Sequence, residues 1–585
     1  MVVVRTTSSR VHHRCTSAHA NASTTSCYLS ARTAAIASQP DQTAIHLQWN
    51  AASMRILFVA LMLWLAPVLA LAEMSDGAGN TLTAALQAPE LSCSKVPLDR
   101  QRLTPYYSAA APAPLWINKH GPNARARMLR TVLQNADQEG LSPERYWLAE
   151  IEVRWQAPAP DMQACLEMLL TAGFDRYSRD VHSGRVSPHE ADPTWMLHPP
   201  AFDPVAALQA IGSDDEFSRL LKSLPPEQAG YQRLRSALAQ YRHVAGQGGW
   251  AELPPGPNLT PGDVHAQVPV LRARLRREGD LPRLALSFGT GYDTPLVEAV
   301  QQFQRRHGLQ PDGIVGARTR AELNISAAER AAQLRRALER WRWLPRNLGD
   351  HYILVNTAGF ELAVVEGGKT VLRMRSINGT PDQATPSFTA TLQTLIINPY
   401  WYVPQRIARD RLWPRAQRNT GYLAERGFRV FDTRKRGWQE LDPMRLDWKR
   451  INGDDTNVRL RQEPGPKNLM GRLSFVFPNP FEIFVHDTPD RALFERDVRT
   501  FSEGCVRIEN AMALALHTLR QAPEWNEVRI QEEIDALHHW NLKLPEPIPV
   551  FVLYLPNWVD ADRQVQFRAD VYQRETVLTS YYPAN

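Results

Sequence analysis

Residues 501–510 read Phe501-Ser502-Glu503-Gly504-Cys505-Val506-Arg507-Ile508-Glu509-Asn510, and His486 stands 19 positions before the cysteine in Phe484-Val485-His486-Asp487-Thr488-Pro489. A thiol with an ordinary pKa near about 8.5 is mostly protonated at neutral pH, so a catalytic cysteine needs a base or an electropositive setting. His486 can supply the base and Arg507 the positive potential. Gly504 lets the backbone pack tightly beside the sulfur, and the N–H groups around Gly504 and Cys505 can point at a developing oxyanion. Each residue also has a plain reading: His486 as a satisfied strand-end side chain, Arg507 as a partner for Glu509.

Around this pair the sequence turns to β-structure. His351 to Asn356, Glu361 to Glu366, Thr370 to Ile377 and Thr391 to Asn398 are β-branched-rich runs separated by glycine turns, the spacing of a small sheet sandwich or barrel. Phe481 to His486 and Val550 to Tyr554 read as the last strands. The stretch from Pro404 to Pro466 is rich in Arg, Asp and Trp, is too long for a passive loop, and reads as a lid or capping subdomain.

Upstream the pattern is helical. Leu103 to Tyr241 reads as a helical scaffold, and the glycines and prolines of Gly246 to Gly262 mark a linker. Residues 264–325 form a compact unit of short helices in which Asp312-Gly313 reverses the chain. There Leu309 and Ile314 are expected to fold back onto Val300 and Phe303, and Asp293 or Thr294 can cap the helix opening at Pro295.

The chain has 585 residues, 43% hydrophobic and 22% charged, enough for several cores. Its formal charge of +6 does not argue for nucleic acid, because five arginines and one acidic residue precede position 73 and their removal leaves +2. Met54-Arg55, the apolar run Ile56 to Leu71 and the ending Ala70-Leu71-Ala72 read as a cleaved secretory signal, too short and too interrupted by Pro67 for a stable membrane span. Residues 1–53 read as a spurious extension. Of the cysteines after the signal, Cys93 and Cys165 either pair or stay as inert thiols, which leaves Cys505 as the odd one.

Two resemblances gather these readings. Glu298-Ala299-Val300-Gln301-Gln302-Phe303-Gln304, then Gly308-Leu309, Asp312-Gly313 and Gly316 with Thr319, resemble the three-helix peptidoglycan-binding domain. His486, Ser502, Gly504, Cys505, Arg507 and Asn510 resemble the signature of L,D-transpeptidases with a YkuD-like catalytic domain. Glu339-Arg340-Trp341-Arg342-Trp343-Leu344-Pro345, Thr385-Pro386-Ser387-Phe388 and Asn398-Pro399-Tyr400-Trp401-Tyr402-Val403-Pro404 extend the likeness to the large YcbB-type branch. One departure is Glu503, which stands where many smaller relatives carry histidine.

The resemblance implies a multidomain α+β chain: a scaffold at 73–255, a peptidoglycan-binding domain at 262–325, a linker helix at 326–350, a β-rich catalytic domain at 351–556 with a capping insertion at 406–466, and a tail at 557–585. It implies acyl transfer in the periplasm, at the cell wall, on peptidoglycan stem peptides, with peptidoglycan synthases as candidate partners and no nucleic acid. No cofactor or metal enters. Cys505, His486 and Gly504 are the expected catalytic set, with Arg507, Ser502, Asn510, Tyr400 and Trp401 on the substrate. The imidazole is expected to be oriented by a backbone carbonyl from Asp487 or from the Ser502 to Gly504 loop. The rival from another class is a non-catalytic peptidoglycan-binding scaffold. A papain-like order and a zinc site built on Cys505 or on His538-His539 do not fit the spacing.

Overall fold

The computed structural model describes residues 81–584, except 89–90, 94–95, 108–112, 435 and 452–456. The segments read as a signal and as a spurious extension lie outside the described residues. Among the described residues no helix is long and apolar enough to cross a membrane.

The scaffold is built around α1 (Pro160–Ser183), whose apolar residues occur all round its circumference. Such a helix belongs at the centre of a core. Trp116, Tyr146, Phe174 and Phe217 belong to the cluster around it. Cys93 and Cys165 form a disulfide with Cα atoms 5.3 Å apart, so the pairing that spacing left open is made. On chain entropy alone, closing a loop of 72 positions contributes about 4 kcal/mol.

Helix α2 (Ala229–Gly246) leads to the compact unit of α3 (Val268–Glu278), α4 (Thr294–Arg306) and α5 (Ala317–Leu323). Asp293 is the cap of α4, its side chain accepting from the Leu296 N–H. The core holds Leu271, Leu275, Leu296, Val300, Phe303 and Val315. Val315 thus replaces the expected Ile314 and Leu309, which stay half-exposed. The turn is organised by the buried Gln304: its Nε2 donates to Asp312 Oδ1 at 2.8 Å and to the Ile314 carbonyl at 3.0 Å, while its Oε1 accepts from the Gly313 N–H at 2.9 Å. A buried amide satisfied this fully holds one turn geometry.

Helix α6 (Ala327–Arg342) joins this unit to the β-domain and buries Arg330, Arg336, Arg340 and Arg342. Buried guanidinium groups need partners, and Glu339 pairs Arg342 at 2.9 Å while Glu575 pairs Arg336 and Arg340 at 2.8 and 2.7 Å. Glu339 also accepts from the Val186 N–H and the Tyr582 hydroxyl. The Glu-Arg-Trp-Arg-Trp motif is therefore a weld between scaffold, barrel and C-terminus. Residues 557–584, expected as a tail, form a hairpin and a short helix that bury Phe567, Leu578 and Tyr582.

The β-domain has nine strands: β1 (His351–Asn356), β2 (Glu361–Glu366), β3 (Lys369–Gly379), β4 (Phe388–Ile397), β5 (Leu473–Val476), β6 (Val485–His486), β7 (Thr500–Ser502), β8 (Val506–Ile508) and β9 (Trp540–Leu553). They run in the order β7-β3-β8-β6-β5-β4-β9-β1-β2, and β2 pairs back onto β3, closing a barrel. Val355, Leu362, Val364, Leu395, Phe475, Val506 and Ile508 fill it, joined by Leu514 and Ala515 of α7 (Ala511–Thr518) and Ile530 of α8 (Glu527–Asp535).

Two strands differ from expectation. The expected Phe481 to His486 strand shrinks to two residues because Asn479 captures the chain before it, donating to the Phe477 and Ile483 carbonyls and accepting from the Phe481 and Ile483 N–H groups. The expected Val550 to Tyr554 strand begins at Trp540. Pro545 and Pro547, which argue against a strand, fall in a register break between Lys543 and Ile548.

Between β4 and β5 the insertion builds its own four-stranded sheet, from Trp401–Tyr402, Phe428–Asp432, Gln439–Leu441 and Val458–Gln462. Leu412, Trp413, Phe428, Val430, Trp448 and Leu460 give it a separate core.

Candidate active site

Strands β6 and β8 run parallel, with Val485 opposite Val506 and His486 opposite Arg507. The Val506 N–H donates to the Phe484 carbonyl at 2.9 Å, which continues the ladder past Cys505. Side chains two apart share a face of a strand. Arg507 therefore stands on the face that carries His486, and Cys505 sits at the entrance to the strand that pairs with it. The 18 residues between His486 and Cys505, 487–504, form a crossover containing a short 3-10 turn and β7.

His486 is buried, and its Nδ1–H donates to the Asp487 carbonyl at 2.6 Å. Of the two sources open at the sequence level, the carbonyl is that of Asp487. This bond sets the tautomer in which Nε2 carries the free lone pair. Asp487 is itself fixed: its N–H donates to the Leu473 carbonyl and its Oδ2 accepts from the Arg472 N–H, both at 2.9 Å. Gly471 closes this support. Its φ is +66°, and a Cβ there would lie 2.5 Å from the Asp487 carbonyl carbon. The sequence carries only an unremarked glycine at this point.

The half-buried thiol of Cys505 lies 3.8 Å from the Glu482 carbonyl, toward which an S–H points as a donor. Glu482 has φ +53°, a left-handed conformation that costs a non-glycine residue about 1 kcal/mol. Burial pushes the thiol above its usual range, against the pull of the Phe484 backbone and Arg507. Burial and the Arg507 charge push His486 down to about 3. Both shifts favour neutral partners, so the resting pair is thiol and imidazole rather than thiolate and imidazolium.

The turn before the sulfur is locked. Ser502 Oγ donates to the Cys505 carbonyl at 2.5 Å and accepts from the Gly504 N–H at 3.2 Å. Ser502 is thus a brace inside the turn, not a group facing substrate, and the Gly504 N–H is already engaged. Gly504 has φ +117°, open to glycine and costly for other residues. Its carbonyl accepts from Thr385 Oγ1 at 2.8 Å, and the Thr385 carbonyl accepts from Arg574 Nη2 at 3.1 Å. The C-terminal segment thereby braces the turn that leads into Cys505.

Arg507 pairs with Asp490 at 3.2 Å rather than with Glu509, which binds Arg375. Its buried Nε has no partner among the described residues. Asn510, expected on the substrate, is the cap of α7, its Oδ1 accepting from the Ala513 N–H. Trp401 packs on Phe428 in the insertion's core, and Tyr400 lies between Arg461 and His539. Packing accounts for both rings. Asn398, before them, donates to the carbonyls of Glu533, Ile534 and His538 and so anchors α8.

Glu503 reaches the insertion, pairing with Arg406 at 3.3 Å and Arg411 at 3.2 Å. Residues Ala408–Leu412 form a π-helical turn. That turn carries Arg411, and Arg406 lies in the short helical segment just before it. Arg411 is 55% exposed, so each pair contributes only about 1 kcal/mol or less.

The closed mixed barrel thus carries His486 on one strand and Cys505 at the entrance to the parallel strand beside it, and it is joined to a three-helix unit. Residues 350–527 match the family model of the L,D-transpeptidase catalytic domain, 264–323 that of a peptidoglycan-binding domain, and 101–238 that of a scaffold domain. The chain is similar to a Haemophilus influenzae protein named as an L,D-transpeptidase, 30% identical over 220 residues. That match covers 38% of this chain and 44% of the relative, so it spans less than half the relative's length. Solved L,D-transpeptidases from Xylanimonas cellulosilytica and Stackebrandtia nassauensis are 18% and 13% identical, with TM-scores of 0.18 and 0.20. The first comparison covers 51% of this chain and 100% of that one, the second 50% and 94%.

Proposed function

We propose that this chain is an L,D-transpeptidase of the bacterial cell wall, exported to the periplasm, with Cys505 as nucleophile. The sulfur attacks the carbonyl at the L-centre of diaminopimelate in a donor tetrapeptide stem, while His486 Nε2 takes the thiol proton. The tetrahedral intermediate collapses to a thioester, and the leaving D-Ala amine accepts the proton back from His486. An amine of diaminopimelate on a neighbouring stem then attacks the thioester, gives up its proton to His486, and the thiol reforms. The product joins two diaminopimelate residues directly.

The observation that carries this reading is the tautomer lock: Nδ1 is committed to the Asp487 carbonyl, which leaves Nε2 as the base, on the strand paired with the one that runs on directly from Cys505. Neutral resting partners mean that proton transfer accompanies attack rather than preceding it. The Arg507 charge acts on both the sulfur and the imidazole. The Glu503 pairs hold the insertion over the nucleophile turn weakly enough to open for a stem peptide. The three-helix unit retains the enzyme on the wall.

The test is incubation of purified protein with tetrapeptide-rich peptidoglycan, followed by mass spectrometry of the muropeptides. Wild type should release D-Ala and form direct diaminopimelate cross-links, and Cys505→Ala should form none. Muropeptides unchanged by wild type would leave the non-catalytic wall-binding reading in its place.

A further inference from the structure

Two histidines and a glutamate from three elements meet on the barrel wall, and the chemistry proposed above uses none of them. His351 opens β1, and Glu366, its register partner, closes β2. His517 lies in the last turn of α7. Nε2 of His351 is 3.0 Å from Nε2 of His517, and Glu366 Oε1 is 3.6 and 3.5 Å from these two nitrogens. The three side chains are 16%, 14% and 30% exposed, half-sunk but open to solvent ions.

Hydrogen bonding explains this cluster poorly. An Nε2 to Nε2 contact requires the two rings to hold opposite tautomers and places one proton between them. Neither separation to the carboxylate is that of a good hydrogen bond. A metal accounts for all three distances together. Zinc bound tetrahedrally at about 2.0–2.1 Å from each ligand holds its ligand atoms about 3.3 Å apart, and 3.0, 3.5 and 3.6 Å lie around that value. Two imidazoles and one carboxylate are also a donor set that suits zinc and its late transition-metal neighbours and does not suit magnesium or calcium.

We propose that His351, Glu366 and His517 form a binding site for a divalent transition ion, zinc fitting best, with a fourth position left to water. The ion ties the β1–β2 hairpin to α7, the helix that follows directly from the nucleophile strand β8. Arg520 is the group that competes for the site, since its guanidinium hydrogen-bonds Glu366 Oε1. It is 41% exposed and flexible enough to withdraw.

The experiment is calorimetric titration of zinc chloride into the untagged chain carrying Cys505→Ala, so that the thiol does not bind the metal. One ion per chain is expected, with magnesium giving no heat. Combining His351→Ala with His517→Ala should weaken binding at least about tenfold, while Arg520→Ala should strengthen it about threefold or more by removing the competing cation. Thermal unfolding in chelator checks that each variant is folded, and zinc should raise the melting temperature of the parent and not of the double-histidine variant. No stoichiometric binding, or binding that survives loss of both histidines, would overturn the site. Unchanged affinity in Arg520→Ala would remove Glu366 from it. None of these readouts depends on transpeptidation, so failure here and failure of the proposed activity are separable.

Discussion

Replacing Gly471 by alanine tests whether the Asp487 carbonyl positions the base. The added Cβ would meet the Asp487 carbonyl carbon and Cβ at 2.5 Å, against a comfortable carbon–carbon separation of about 3.5–4.0 Å. One of the two backbones must therefore give way by about 1 Å. A shift of that size stretches the 2.6 Å bond from His486 Nδ1 to about 3.6 Å, beyond hydrogen-bond range. The imidazole then loses the Asp487 carbonyl and keeps only the Met470 backbone as a hydrogen-bond partner, which loosens its orientation and tautomer. A misplacement of about 1 Å at a reacting group costs about 100-fold in rate, and that loss is expected in single-turnover acylation of Cys505 by a carbapenem, followed by mass spectrometry.

Alanine at φ +66° also costs the fold about 1–2 kcal/mol, so a control must carry that cost alone. Gly368→Ala does so: its φ is +74° and nothing lies within 4 Å of the new Cβ. It should lose stability and keep its acylation rate. Gly471→Ala acylating within about threefold of wild type while folded, or Gly368→Ala losing as much as Gly471→Ala, would refute the positioning argument.

The pH dependence follows from the two neutral partners. Because burial pushes the Cys505 thiol up and pushes His486 down to about 3, the neutral pair is the reactive form throughout this range, and acylation should be nearly flat from about pH 5 to about pH 8 with no inflection near an ordinary histidine pKa of about 6.5. An inflection near about 6.5, or a rate that climbs about tenfold per pH unit as attack by a thiolate formed beforehand would give, sinks that assignment. The same His486 shift stabilises the fold at neutral pH, and this contribution should fade as pH falls from about 6.5 toward the folded value of about 3. Glu503→Gln weakens both arginine contacts of the insertion, so KM for a stem-peptide donor should change several-fold while carbapenem acylation, with its small ligand, stays within about twofold. Equal changes in both assays would show that Glu503 acts on the sulfur instead.

Much was legible in the chain because its signals are local. Alternating β-branched runs mark β1 to β4, and a cysteine, a histidine and an arginine at motif spacing mark the chemistry, since reactive side chains are rare enough to be informative one by one. The Asn398-Pro399-Tyr400-Trp401 run was visible too, yet its meaning was not: Asn398 anchors α8 and Trp401 packs the insertion's core. Motif residues that serve packing look the same in sequence as those that meet substrate.

What only the tertiary structure decided is how distant groups share one site. The Asp487 carbonyl, Gly471 behind it, the Thr385 and Arg574 brace and the Glu503 grip on Arg406 and Arg411 join positions tens to hundreds of residues apart. A backbone carbonyl has no residue identity, and a surface carboxylate chooses its arginine by distance. Such contacts exist only once the barrel has closed, because β2 returning to β3 and β6 lying parallel to β8 set which chain segments are neighbours.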